Sequence, residues 1–346
     1  MATCLLDEGD NAFRAARGNF GLVWVQGKGS DAPPYARWTR SSADLWPRFA
    51  AALLQETGVD PGYAKPGGLM LCMSEQELEA RRHLLGRMRS GLEEGYDFQM
   101  LDREDLRQLL PEVGDAVAGA SFCPHDGHVS PLLLLRALHQ AVLDRVDYRP
   151  GDEVREIHRK QDLFHVCTTE GTVTAPRLIL AAGLGNAVLA PMVGLQAPVA
   201  PVRGQILVTE KLRSFLPMPT MQVRQTEAGT LLLGDSHEEV GFDVSSTTAA
   251  ARDIARRAVA QFPVLADVQL IRAWGALRVM TPDGLPIYQQ SLSHPGAFII
   301  TCHSGVTLAA AHALRLAPAL ARGELLPDLK SFCAERFEER HELHVH

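Results

Sequence analysis

Residues 2–9 read ATCLLDEG. The apolar run 2–6 stops at Asp7, Glu8 and Gly9, which is the pattern of a buried strand carrying an acid at its carboxyl end. In dinucleotide-binding folds an acid at that place hydrogen-bonds a ribose, so Asp7 is a candidate; an exposed acid closing a strand is the plainer alternative. Such an acid ordinarily follows a GxGxxG turn by about 20 residues. Six residues precede Asp7, too few to hold that turn.

Outward from this strand, residues 15–29 (AARGNFGLVWVQGKG) form a glycine-punctuated loop with a short β-like run at 22–26, a composition that lets backbone lie close to something else. Residues 35–57 have helical periodicity through Trp38, Leu45, Phe49 and Leu53, with a break or kink expected at Pro47. A strand at 68–73 leads into a helix to about residue 91, capped by Ser74. A short helix at 102–110, a loop at 123–131 and a helix at 132–146 follow. Beyond a strand at 154–157, residues 164–169 and 172–175 alternate as a hairpin about Glu170-Gly171. The run 177–182 (RLILAA) reads as a strand buried inside a parallel sheet, as does 297–301 (AFIIT), which feeds a helix over 306–321. Between those two runs lie strand-like pieces at 204–209 and 230–233 and a helix at 249–261. Buried strands alternate with helices at both ends of the chain, and antiparallel-looking material stands between. The expected fold is α/β, a nucleotide-binding domain interleaved with an antiparallel substrate domain.

Composition narrows the function classes. At 346 residues the chain can bury a large core in one or two domains without disulfides. Its 46% hydrophobic and 22% charged residues exclude a disordered or fibrous protein, and a net charge of −7 speaks against a nucleic-acid partner. Six cysteines occur without a CxxC pair, as in a reducing compartment. With no apolar run of membrane-spanning length and acids near Met1 where a signal peptide is basic, a cytoplasmic location is expected.

Four segments are candidates for chemistry: Asp7 with its strand, and three others. Gly183 and Gly185, after RLILAA, superficially match a nucleotide-binding glycine turn, although Pro191 comes too early for a long crossover helix. In residues 302–307 (CHSGVT), small residues at a helix start would offer unpaired amides to an anionic ligand; an ordinary capped helix fits equally. In residues 274–286 (WGALRVMTPDGLP), Arg278 follows an apolar strand and could present its planar fork to a carboxylate, or make a structural salt bridge. Cys123, His125, Asp126 and His128 crowd together like metal ligands, but Asp126-Gly127 reads as a turn and no second cluster completes a site. His341, His344 and His346 read as a solvated tail. No GxSxG elbow supports a hydrolase.

Taken in order, these stretches resemble the flavin-dependent oxidoreductases of the D-amino-acid oxidase, glycine oxidase and sarcosine oxidase family from about residue 3 to 325. GNFGLVWVQGKG is most similar to the branch of hydroxyproline dehydrogenases and opine oxidases, which act on cyclic or N-substituted amino acids. The matching stretches are LLDEGD, ARGNFGL, DGHVSP, the AAGLG segment with Val154 upstream, WGALRVMTPDGLP and CHSGVTLAAA. The resemblance implies a Rossmann-like FAD-binding domain from residues 1–70, 125–200 and 275–330, interleaved with an α+β substrate domain from 71–124 and 201–274, with 331–346 as a tail. The family begins with a strand and GxGxxG helix for the pyrophosphate, whereas this sequence begins at the family's second strand. A βα unit of roughly 25 to 30 residues is therefore expected upstream of Met1.

The resemblance further implies non-covalent FAD contacted by Asp7, Arg17, Gly18, Asn19, Val154, Ala182, Gly183, Gly185, Ser304, Gly305, Val306 and Thr307. Arg278 would anchor the substrate carboxylate, and His303 would face the flavin edge or serve as a structural histidine. The implied reaction moves the α-hydrogen of a neutral amine to the flavin as hydride, and the imine is hydrolysed or released. Oxygen, a quinone or a partner subunit would take the electrons, and a hetero- or homo-oligomer is possible. Two other classes remain open: a non-catalytic accessory subunit of an amino-acid dehydrogenase, and a nicotinamide-dependent reductase using Gly183 and Gly185.

Overall fold

The computed structural model describes residues 2–9, 15–92, 96–143 and 145–338; the three tail histidines lie outside the described residues. The opening strand forms as β1 (Cys4–Asp7) and pairs in parallel with β7 (Asp147–Pro150). A second parallel pair joins β11 (Leu178–Leu180) to β17 (Ala297–Thr301), whose other edge takes β16 (Ile287–Gln290) antiparallel. A three-stranded meander of β8 (Val154–Lys160), β9 (Leu163–Thr168) and β10 (Thr172–Ala175) completes this half of the molecule, with the expected hairpin turn. Leu6, Val154, Ile157, Phe164, Leu180 and Ile299 share one apolar cluster, which holds the three sheets together. The α/β expectation is met. RLILAA is buried less than its composition implied: Ile179 is 45% exposed, because β11 is the edge strand of its sheet.

The antiparallel half is a four-stranded sheet in the order β13 (Val223–Gln225), β14 (Thr230–Gly234), β12 (Ala200–Lys211) and β15 (Leu270–Met280). Leu207, Val223, Leu231 and Leu233 alternate onto one face, against Ile254, Ala258 and Phe262 from and beside α6 (Thr248–Gln261). A second sheet of β3 (Gly68–Cys72), β5 (Gly119–Cys123) and β4 (Gln99–Leu101) joins the same core, flanked by α2 (Glu75–Gly91) and α3 (Arg103–Leu109). Ser74 caps α2 by accepting from the Glu77 amide at 3.2 Å, and Glu77 answers by accepting from the Met73 amide at 2.7 Å. The opposite face of the four-stranded sheet carries Gly204, Ile206, Ala276 and Arg278 toward the candidate site.

The halves meet over α1 (Pro33–Thr57), α4 (Pro131–Leu143) and the small pair β2 (Leu22–Val23) and β6 (Gly127–His128). The break expected at Pro47 does not occur, and α1 runs through it. Trp38, Trp46, Phe49 and Leu53 are buried along one stripe. At about 1.5–3 kcal/mol for each large side chain removed from water, that stripe outweighs the roughly 3 kcal/mol cost of an interior proline. The single helix expected over 306–321 divides into α7 (Gly305–Ala311), a π-helical turn at His312–Leu316 and α8 (Ala317–Arg322). After β11, Gly183–Gly185 form one 3-10 turn and α5 (Asn186–Leu189) spans four residues, so no crossover helix starts there.

Candidate active site

Loop 15–22 lies across the four-stranded sheet because Gly18 lets its backbone pack directly on the Ala276 side chain. A Cβ on Gly18 would fall 2.2 Å from the Ala276 Cβ. Above that contact the Trp274 indole donates to the Gly18 carbonyl at 3.3 Å, and Arg224 Nε donates to the Phe20 carbonyl at 2.9 Å. Asn19 closes the turn by accepting from the Gly21 amide at 2.6 Å. Beneath the loop is a cavity of about 250 Å³. Gly18, Asn19, Arg278, His303, Ser304, Val306 and Thr307, all singled out in the sequence, line it.

Arg278 starts opposite Val202 on β12 and folds its guanidinium flat over Gly204, where a side chain would lie 2.5 Å from Cζ. Its Nη1 donates to the Ser236 carbonyl at 2.9 Å and its Nη2 to the Asp235 carboxylate. The side chain keeps 18% of its accessible surface and lines the cavity. His303 opens onto the same cavity. Loss of water around its ring, followed by the positive charges of Lys28 and Arg278, pushes it down to about 3, so it is neutral at physiological pH. Ser304 precedes α7 without giving it a side-chain cap, which leaves the first-turn amides of Gly305, Val306 and Thr307 for a ligand.

The remaining candidates lie outside the cavity wall. Asp7 accepts from the Gly9 amide at 2.8 Å at the tip of β1. Val154 opens β8, and Arg17 lies in the loop but not among the cavity-lining residues. The Ala182 amide donates to Asn186 Oδ1 at 3.1 Å, which leaves Gly183 and Gly185 in a turn organised by a fully buried asparagine. Asp126 is spent on architecture: its carboxylate accepts from the Val25 and Gln26 amides at 2.5 and 3.2 Å and from Gln26 Nε2 at 2.7 Å. Burial pushes its carboxyl up to about 7 against the pull of those donors.

Sequence reading missed Trp24, Lys28 and Asp235, which also line the cavity. The indole nitrogen of Trp24 is buried without a partner among the described residues. Lys28 donates to Ser304 Oγ, which also accepts from the Tyr35 hydroxyl at 2.9 Å. The flanking glycines of QGKG were the available signal for Lys28. Both have left-handed backbones, and a Cβ on either would collide, with Arg81 at 2.7 Å or the Ala36 amide at 2.4 Å.

A partly apolar cavity lined by two cations, with an indole N–H that has no partner among the described residues and uncapped helix amides at its edge, suits an anionic ring and a carboxylate. Residues 1–319 match the family model described as FAD dependent oxidoreductase, and the chain belongs to that family. It is 43% identical to one subunit of the opine oxidase of Rhizobium meliloti, over 96% of this chain and 91% of that one. It is 27% identical to a glycine oxidase of Pseudomonas aeruginosa, over 96% and 88%. The crystal structure of glycine oxidase from Geobacillus kaustophilus superposes with a TM-score of 0.87 at 24% identity, covering 95% of this chain and 90% of that one. FAD is thus the cofactor, and the Trp24 nitrogen and the α7 start fit its ring system. Among the described residues, no helix is long and apolar enough to cross a membrane.

Proposed function

We propose that this protein oxidises the C–N bond of an amino acid, with N-substituted acids of the opine, proline or glycine type as its substrates. FAD, when bound, supplies the two-electron acceptor for the α-C–H bond. The protein's own residues do the rest. Arg278 binds the substrate carboxylate through the in-plane N–H groups of its fork that Ser236 and Asp235 leave unused, and Gly204 gives that fork room to lie against the sheet. Leu22, Ile206, Met221 and Ala276 exclude water around the reacting carbon. His303, neutral and beside the cavity, adds no charge that would repel the cationic form of an arriving amine. Ser304, Val306 and Thr307, at the start of α7, line the cavity where uncapped amides can serve as fixed dipoles.

The single observation that carries this reading is the Arg278 guanidinium laid over Gly204 in the cavity wall. Likeness to one subunit of an opine oxidase supports a place in a hetero-oligomer, with the partner, a quinone or oxygen taking the electrons. Anaerobic titration of the FAD-loaded protein with N-carboxyalkyl amino acids, proline and glycine is the test. Bleaching of the flavin band by at least one class is expected, and no bleaching by any amino acid overturns the reading. Arg278→Lys should raise the apparent KM roughly 10- to 100-fold, since a bidentate charged pair is replaced by a point charge worth about 1.5–3 kcal/mol less. Unchanged kinetics would remove Arg278 from the site.

A further inference from the structure

Lys28 has no role in the scheme above, yet it lines the cavity. Its ammonium donates to Ser304 Oγ, and among the described residues no carboxylate lies within ion-pair distance of it. The charged and titratable groups around it come from every neighbouring element. Cys302, at the end of β17, is a thiol that burial pushes up to about 12, so it stays neutral. Tyr35, on α1, is raised by burial and stays protonated, and Tyr288, on β16, is likewise raised. His303 is neutral, and Arg278 adds positive charge. Asp126 is the nearby acid, and its oxygens are taken by Val25 and Gln26. Desolvation accordingly pushes the Lys28 ammonium down to about 8, with Asp126 opposing the shift. An enclosed cation without a counter-charge is costly, and a fold keeps one where an anion will meet it.

We propose that Lys28 is the fixed cation that stabilises the negative charge FAD takes up on reduction, and so sets the reduction potential of this site. Two observations favour the cofactor over the substrate carboxylate as its partner. Lys28 is tied through Ser304 to the α7 side of the cavity, whereas Arg278 is tied to Asp235 and Ser236 on the sheet side and already serves a carboxylate. Gly27 and Gly29 flank the lysine with left-handed backbones, and the packing of Gly29 against the Ala36 amide ties this turn to α1, which also carries Tyr35, the other partner of Ser304. The inference rests on the proposed use of the cavity for a flavin-dependent oxidation, but its test needs no substrate.

The experiment compares FAD-loaded wild type, Lys28→Met, Lys28→Gln and Lys28→Arg by dye-equilibrated reduction and by sulfite titration of the oxidised flavin, a probe for positive charge at the ring. Both neutral variants should bind sulfite at least tenfold more weakly and reduce at a potential lower by about 30 mV or more, the equivalent of tenfold for a two-electron couple. Lys28→Arg should restore most of both. Unchanged potential and sulfite affinity in a neutral variant that still holds FAD overturn the proposal. So does a rise in amino-acid KM as its sole effect, which would assign Lys28 to the substrate. If no amino acid bleaches the wild type while the potential still shifts, the substrate reading fails and the Lys28 assignment stands. Should Lys28→Met fail to fold, the Gln and Arg pair decides.

Discussion

Asp126 shows how far a local pattern can mislead about a side chain. Beside Cys123, His125 and His128 it has the composition of a metal ligand, and beside Gly127 it reads as a turn residue. In the fold it is fully buried and accepts three hydrogen bonds from Val25 and Gln26, in the loop after β2 about 100 residues away. Removing the acceptor strands buried donors at about 1–3 kcal/mol each, so Asp126→Ala should cost about 3 kcal/mol or more in urea unfolding. A loss below 1 kcal/mol would mean that water or a neighbour replaces the carboxylate. Arg278 is the opposite case: an apolar strand, an arginine and a Pro-Asp-Gly turn were enough to single it out. What the pattern left out was the seat. Gly204 is 74 residues away and meets Arg278 through strand register alone.

At the level of elements, the loop on β15 is the contact that shapes the cavity. Gly18 has no room for a methyl group against Ala276, and the Trp274 indole pins the carbonyl of the same residue. Gly18→Ala should therefore lift the loop, lowering stability by about 1–3 kcal/mol, the usual cost of overpacking, and lowering FAD content with it. Thermal unfolding with and without added FAD measures both. Normal cofactor content at wild-type melting temperature would show that the loop and the sheet are not in register as described. Pro47 belongs at this scale too. A proline reads as a helix break when the chain is considered alone, and α1 overrides it because one whole stripe of the helix is buried. The π-turn at His312–Leu316 was illegible for the same reason. It places His312 within 2.7 Å of the Tyr288 hydroxyl, a partner on another element.

For the whole molecule, two histidines held neutral inside the fold link stability to pH. Burial pushes His312 down to about 4; burial and then Arg224 push His128 down to about 4, both from 6.5. Between those values these two sites bind more protons in the unfolded chain than in the folded one, so their contribution to stability is full above pH 6.5 and is lost as pH drops toward 4, while Asp126, raised to about 7, acts in the opposite direction. Each histidine accounts for up to about 3 kcal/mol of that loss. Going from pH 7 to pH 4.5, the urea midpoint of wild type should drop relative to that of His312→Gln, a difference that cancels the shared Asp126 contribution; parallel curves would show that His312 is already charged in the fold. On this largest scale the sequence by itself determined the α/β class, the order of strands and helices and the segments around Gly18, Arg278 and Ser304, because burial periodicity, glycine and turn chemistry act between near neighbours. Only the tertiary structure decided which distant groups share the cavity. Lys28 against Ser304, Arg278 over Gly204 and Asp126 beneath Val25 depend on sheet register and helix packing, and no spacing in the sequence encodes those distances.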